Sequence, residues 1–166
     1  MVIMGIDPGT AVTGYGVIRV SGNSVAWVGY GVIVTDTAEP LSQRLLTIYG
    51  GLSEKMNEYS PDRVAVEEAF YGKNVHTALV LGHARGVAML AAAQRERGVF
   101  EYSPREIKKS VTGNGNASKE QVEYMVKTLL RPNGGKMRQD AYDALAVAMC
   151  DFYNMGRTAL IRQKDK

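Results

Sequence analysis

An α/β fold, with a mixed five-stranded sheet flanked by helices, is what the apolar periodicity of the chain predicts. Three observations carry that reading. Strand-length apolar runs open the chain, helical and strand patterns alternate after them, and helical patterns close it.

The elements follow in order. Val2 to Ile6 is short, apolar and bounded by Asp7-Pro8-Gly9, a turn signal. Tyr15 to Val20 and Val25 to Thr35 read as two strands joined across Ser21-Gly22-Asn23, a hairpin-type turn. Leu41, Leu45, Ile48, Leu52 and Met56 recur every three or four residues, which predicts a helix to Tyr59, closed by Pro61. Arg63 to Val66 is a brief strand running into Glu67-Glu68, and 74–97 is the longest helical pattern. Val99 to Tyr102 reads as the fifth strand, followed by a short basic helix from Pro104 to Val111. After the Gly113-Asn114-Gly115-Asn116 loop, Ser118 and Gln121 form a capping-box pattern opening a helix to Leu130. A last helix is expected from about Asp140 to Tyr153. The basic tail 156–166 is expected to fray beyond a single domain over 1–155. An antiparallel meander feeding parallel crossovers is the pattern of a ribonuclease H-like domain.

Composition narrows the classes. The 166 residues suit one domain with a real core, and 45% apolar against 22% charged is ordinary for a globular protein. A net charge of +3 permits a nucleic-acid partner without establishing one. Cys150 sits in an apolar run and reads as a small buried hydrophobe, so neither an internal disulfide nor a thiolate zinc site is expected. No membrane-spanning run and no basic leader stand out, so a cytoplasmic location away from membranes is expected.

Four carboxylates fall at element ends. Asp7 ends the first strand and Glu67 the fourth; in parallel central strands these ends share one edge of the sheet, where open α/β folds place their sites. Asp140 and Asp143, three residues apart, share one face of the last helix. Each has an ordinary explanation. Asp7 suits a turn, Glu67 a solvated strand end, and Asp140 and Asp143 an N-cap and third helical position favoured by the helix dipole. Against this, Ala141, Ala144, Leu145 and Ala146 make the last helix core-like, and carboxylates on its buried side need a compensating cation. Together the four suggest two Mg²⁺ ions about 3.5–4 Å apart, clamping the attacking and leaving oxygens of a phosphodiester. His76 and His83 read as surface or packing residues of the long helix.

Here the residues resemble a known family. Gly5-Ile6-Asp7-Pro8-Gly9-Thr10 with Thr13-Gly14-Tyr15-Gly16-Val17-Ile18 is similar to the opening of the RuvC Holliday-junction resolvases. Val66-Glu67-Glu68-Ala69-Phe70 with Lys73-Asn74 follows. Gly82-His83-Ala84-Arg85-Gly86, Lys108, Lys119-Glu120-Gln121-Val122 and Asp140-Ala141-Tyr142-Asp143-Ala144-Leu145-Ala146 continue the likeness, which spans Met1 to about Met149. The resemblance implies a crossover junction endodeoxyribonuclease of recombination and repair. Such an enzyme makes paired symmetric nicks in four-way DNA junctions, leaving 5′-phosphate and 3′-hydroxyl ends. It implies a homodimer, two Mg²⁺ ions per subunit with Mn²⁺ as a substitute, and collaboration with the RuvA and RuvB branch-migration proteins. It also implies Asp7, Glu67 and Asp140 as metal ligands and Asp143 as a fourth acidic member. Lys108 and Lys119 would sit near the scissile phosphate, and Phe70 would stack at the junction. Glu68 competes with Glu67, but adjacent strand side chains point to opposite faces.

The residues read alone point the same way. Arg105, Lys108 and Lys109 concentrate charge in one segment, and the amides of the 113–116 loop and of the following helix start are candidates to receive phosphate. Phe70 and Tyr71 ahead of Gly72 suit either a core turn or an exposed stacking platform, worth about 1–3 kcal/mol per base. On the long helix, one face (Val75, Leu79, Gly82, Gly86, Met89, Ala93) can meet a partner subunit while another (Ala78, Leu81, Ala88, Ala92) covers the sheet; full burial within one subunit fits the pattern equally well. Three rivals stay open: an actin-like ATPase or sugar kinase, which needs two lobes; a single-domain nuclease acting on RNA or RNA–DNA hybrids; and a non-catalytic junction binder, against which the acidic set argues.

Overall fold

A computed structural model describes residues 1–68, 75–94, 98–132 and 137–164. Five strands, β1 (Val2–Asp7), β2 (Val12–Ser21), β3 (Ser24–Val34), β4 (Arg63–Glu67) and β5 (Gly98–Tyr102), form one sheet in the order β3-β2-β1-β4-β5. β1, β2 and β3 run as an antiparallel meander, whereas β1, β4 and β5 are parallel. Helices α1 (Leu41–Tyr59) and α2 (Val75–Ala93) cover one face; α3 (Pro104–Thr112), α4 (Lys119–Leu130) and α5 (Gln139–Lys164) cover the other. This is the ribonuclease H-like arrangement anticipated from the strand and helix order.

Strand alternation assigns the two cores. Met4, Ile6, Val64 and Val66 pack with Ile48, Leu52 and Met56 of α1 and Ala84 and Ala88 of α2. Ile3 and Ala65 face the α5 side with Leu145 and Met149. Parity therefore turns Asp7 and Glu67, at the ends of their strands, toward α5. The hairpin between β2 and β3 closes over two residues, with Gly22 at φ +58°, a conformation that glycine adopts without the strain of a Cβ. An Arg63 guanidinium, stacked 3.5 Å from the Phe100 ring centroid, pairs with fully buried Asp151 at 2.7 Å, fixing α5 to the sheet edge opposite the ends of β1 and β4.

Three expectations change. α5 continues to Lys164 instead of ending near Tyr153. One interior glycine, Gly156, weakens a helix by about 1 kcal/mol, and the leucine, isoleucine, arginine and glutamine that follow are competent helix formers. α2 is long and apolar enough to cross a membrane by length and composition, although His83 and Arg85 interrupt its run; here it lays Ala84, Ala88, Ala91 and Ala92 against the sheet. Its outward stripe carries Leu90, 53% exposed, where the spacing suggested Met89.

Candidate active site

Asp7 is cross-strand neighbour to Gly14, and the α5 backbone lies directly over that pair. A Cβ on Gly14 would stand 2.0 Å from the Asp140 carbonyl oxygen, and one on Gly5 would stand 2.1 Å from that of Ala144. Glycine at these interior strand positions lets the first turns of α5 approach the sheet at backbone contact, which brings Asp140 and Asp143 to Asp7. The turn after β1 is tied down as well. Buried Thr13 donates to the Gly9 carbonyl at 2.7 Å, Thr35 donates to the Thr10 carbonyl at 2.5 Å, and Arg44 donates to the same carbonyl at 3.2 Å. These supporting residues escaped the sequence reading; glycine inside a strand was the signal that could have found Gly5 and Gly14.

A cleft of about 110 Å³ opens at this edge, lined by Asp7, Glu67, Lys108, Lys119 and Asp143, with Ile107 and Val122 as apolar floor. Lys108 is carried by α3, whose start is capped reciprocally by Ser103 and Glu106. Lys119 is the first residue of α4, capped by Ser118 and Gln121 as the sequence suggested. Glu68 is exposed, whereas Glu67 is half-buried and lines the cleft. Asp140 does not line the cleft; it pairs with Arg138 at 3.6 Å and still adds its charge to the field at Asp7. Phe70 lies outside the described residues. His76 and His83 are exposed on α2, as surface residues.

The electrostatics record crowding. Burial, then the charges of Asp143 and Asp140, push the Asp7 carboxyl well above its usual range, against the opposing pull of Lys119 and a hydrogen bond with Glu67. Glu67 is raised by burial and by Asp7 and Asp143, with Lys119 and Lys108 opposing. Asp143 is held on both oxygens: Oδ2 accepts from Lys119 Nζ at 3.0 Å and Oδ1 from Gln139 Nε2 at 3.2 Å. Among the described residues no three acidic, histidine or cysteine side chains are gathered tightly enough to enclose an ion as they stand. The donor chemistry nevertheless suits a hard divalent cation: the anionic groups of the cleft are carboxylates, with neither thiolate nor imidazole beside them, and Asp7 and Glu67 are half-buried side by side.

Three amides of the 113–116 loop are spent internally: Gly113 on the Lys109 carbonyl, Asn114 on the Thr112 hydroxyl and Asn116 on the Asn114 side chain.

The family profile described as crossover junction endodeoxyribonuclease RuvC matches residues 3–151. The RuvC of Alkaliphilus oremlandii is 46% identical over 164 residues, covering 99% of this chain and all of the relative. That of Legionella pneumophila subsp. pneumophila strain Philadelphia 1 is 52% identical over 149 residues, 90% of this chain and 85% of the relative. Among solved structures, T. thermophilus RuvC in complex with Holliday junction substrate superimposes with a TM-score of 0.86 at 33% identity, covering 94% of this chain and 96% of that one. The chain belongs to the RuvC family of crossover junction endodeoxyribonucleases.

Proposed function

We propose that this chain resolves four-way DNA junctions by paired symmetric nicks, through metal-assisted phosphodiester hydrolysis that leaves 5′-phosphate and 3′-hydroxyl ends. Nucleases of the family are metal-dependent. Two Mg²⁺ ions per subunit, with Mn²⁺ as substitute, fit the hard oxygen donors of this cleft. The observation that carries the reading is the burial of Asp7 and Glu67 side by side on the α5 face, with Asp143, Lys108 and Lys119 around the same cleft.

Asp7, Glu67 and Asp140 are assigned to hold the ions on the motif match, and Asp143, which lines the cleft where Asp140 does not, joins Asp7 and Glu67 as an ion-holding carboxylate. When bound, the ions would activate the attacking water and stabilise the departing 3′ oxygen. The residues of the chain do the remaining work. Asp7 and Glu67 present acceptor oxygens on a rigid strand edge. Gln139 fixes the orientation of Asp143. Lys108 and Lys119 bring positive charge to the scissile phosphate, beside apolar Ile107 and Val122. Phe70 is assigned to stacking at the junction on the motif match alone.

A homodimer places two such clefts under two-fold symmetry, matching a two-fold junction. The support for it is the outward face of α2. Val75 and Leu79 are 71% and 61% exposed, and added Cβ atoms on Gly82 and Gly86 would meet nothing, so a second helix can approach closely. RuvA and RuvB as partners, a cytoplasmic location, a single nuclease domain over 1–155 and a basic tail beyond it complete the proposal. The test is incubation of the protein with a labelled four-way junction, a linear duplex and an RNA–DNA hybrid, with Mg²⁺ or EDTA. Selective, Mg²⁺-dependent cutting of the junction into nicked duplexes is expected; equal cutting of the hybrid would make it a general nuclease, and binding without cutting a passive junction protein.

A further inference from the structure

Asp143 and Lys119 form a contact in the cleft that joins an acidic residue to a residue assigned to DNA. The Asp143 side chain is 14% exposed and that of Lys119 67%, so a largely exposed lysine places its ammonium 3.0 Å from a mostly buried carboxylate oxygen. Asp143 is the first cause of the raised Lys119 pKa, with Asp7 and Glu67 adding to it. Lys119 also opens α4, where a positive charge opposes the helix dipole, so the carboxylates and not the helix hold it there.

The ammonium is a weak occupant. It meets one oxygen of Asp143 at hydrogen-bond distance and leaves Asp7 and Glu67, which hydrogen-bond to each other, without a cation of their own at that distance. A divalent ion brings twice the charge and can meet several carboxylates at once. With three-dimensional access through a largely exposed stem, Lys119 can leave without disturbing the fold.

We infer that Lys119 is the resident cation of the cleft: it holds Asp143 until a divalent ion takes that carboxylate, and its displacement frees the ammonium for the DNA phosphate. The inference rests on the reading of Asp7, Glu67 and Asp143 as one ion-holding set. It makes Lys119 an opponent of ion binding before DNA arrives, and a supporter of phosphate binding afterwards. A lysine that only contacts DNA has no such first role.

The test is Mn²⁺ binding followed by electron paramagnetic resonance, without DNA, on wild type, Lys119→Met, Asp143→Asn, the double variant and Asp7→Asn. An ion pair this exposed contributes up to about 1 kcal/mol, so Lys119→Met is expected to bind Mn²⁺ roughly two- to fivefold more tightly. In the Asp143→Asn background the same substitution is expected to change little, because the contact it relieves is already gone. Unchanged or weaker binding by Lys119→Met overturns the proposal. An equal gain in both backgrounds also overturns it, since the lysine then acts through its general field and not through Asp143. If Asp7→Asn binds Mn²⁺ as wild type does, the ion-holding set itself is misread, and that failure is visible separately.

Discussion

Gly14 and Asp140 touch through their backbones: a Cβ at Gly14 would lie 2.0 Å from the Asp140 carbonyl oxygen, in the strand position directly across from Asp7. The distance between sheet and helix at the cleft is thus set by a missing side chain. Contacts under 3.0 Å are not tolerated, so Gly14→Ala must push the start of α5 outward by about 1 Å. A displacement of that size at a reacting site can cost roughly a hundredfold in turnover. The overpacking itself destabilises by about 1–3 kcal/mol. Junction cleavage under single-turnover conditions, with a thermal melt beside it, checks this; full activity in a folded variant would mean that the α5 position is not critical.

Stability of the ion-free protein should fall as pH rises. Asp7 and Glu67 have folded-state pKa values raised above their unfolded ones, to about 7 and about 8. The folded state therefore binds more protons than the unfolded state at intermediate pH, and the slope of stability with pH is negative. The contribution is complete below the unfolded carboxylate range and is lost as pH climbs through 7 to 8. Melting in EDTA between pH 5.5 and 8 should show a declining midpoint, a shallower decline for Asp7→Asn, and recovery at pH 8 on adding Mg²⁺. A midpoint rising over that interval would contradict the burial of the two acids together.

The Arg63–Asp151 pair holds the other end of α5. Asp151 accepts from Arg63 on both oxygens at 2.7 Å and from the Tyr102 hydroxyl at 2.8 Å. Asp151→Ala strands a partly buried guanidinium and should lower the unfolding free energy by about 3 kcal/mol in urea titrations. It lies two helical turns from Asp143, about 12 Å along the axis, so Mg²⁺ dependence of cleavage by the folded variant should be unchanged. A loss below 1 kcal/mol would show that the pair is not an anchor.

Much of this architecture was legible in the sequence because burial imposes a period. The alternation in β1 and β4 and the three-four spacing in α1 announced those elements, and the same alternation separated Glu67 from Glu68. The order of elements, with Asp7 and Glu67 ending parallel strands, is enough to place two acids on one edge of the sheet. What could not be read depends on contacts between distant segments. The spacing of Asp140 and Asp143 put both on one face, but only the docking of α5 on Gly5 and Gly14 decides that Asp143 lines the cleft and Asp140 turns to Arg138. The pairing of Lys119 with Asp143 joins residues twenty-four apart through helix packing. The loop amides near Asn114 looked available because a sequence shows donors and not the acceptors that consume them.

The most direct measurement compares Asp7→Asn with wild type on a labelled four-way junction in Mg²⁺, scoring cleavage and equilibrium binding in the same samples. A variant that binds the junction with near-wild-type affinity and no longer nicks it is the predicted result. Undiminished nicking by a folded Asp7→Asn would contradict the claim that the acids buried at this edge of the sheet perform the reaction.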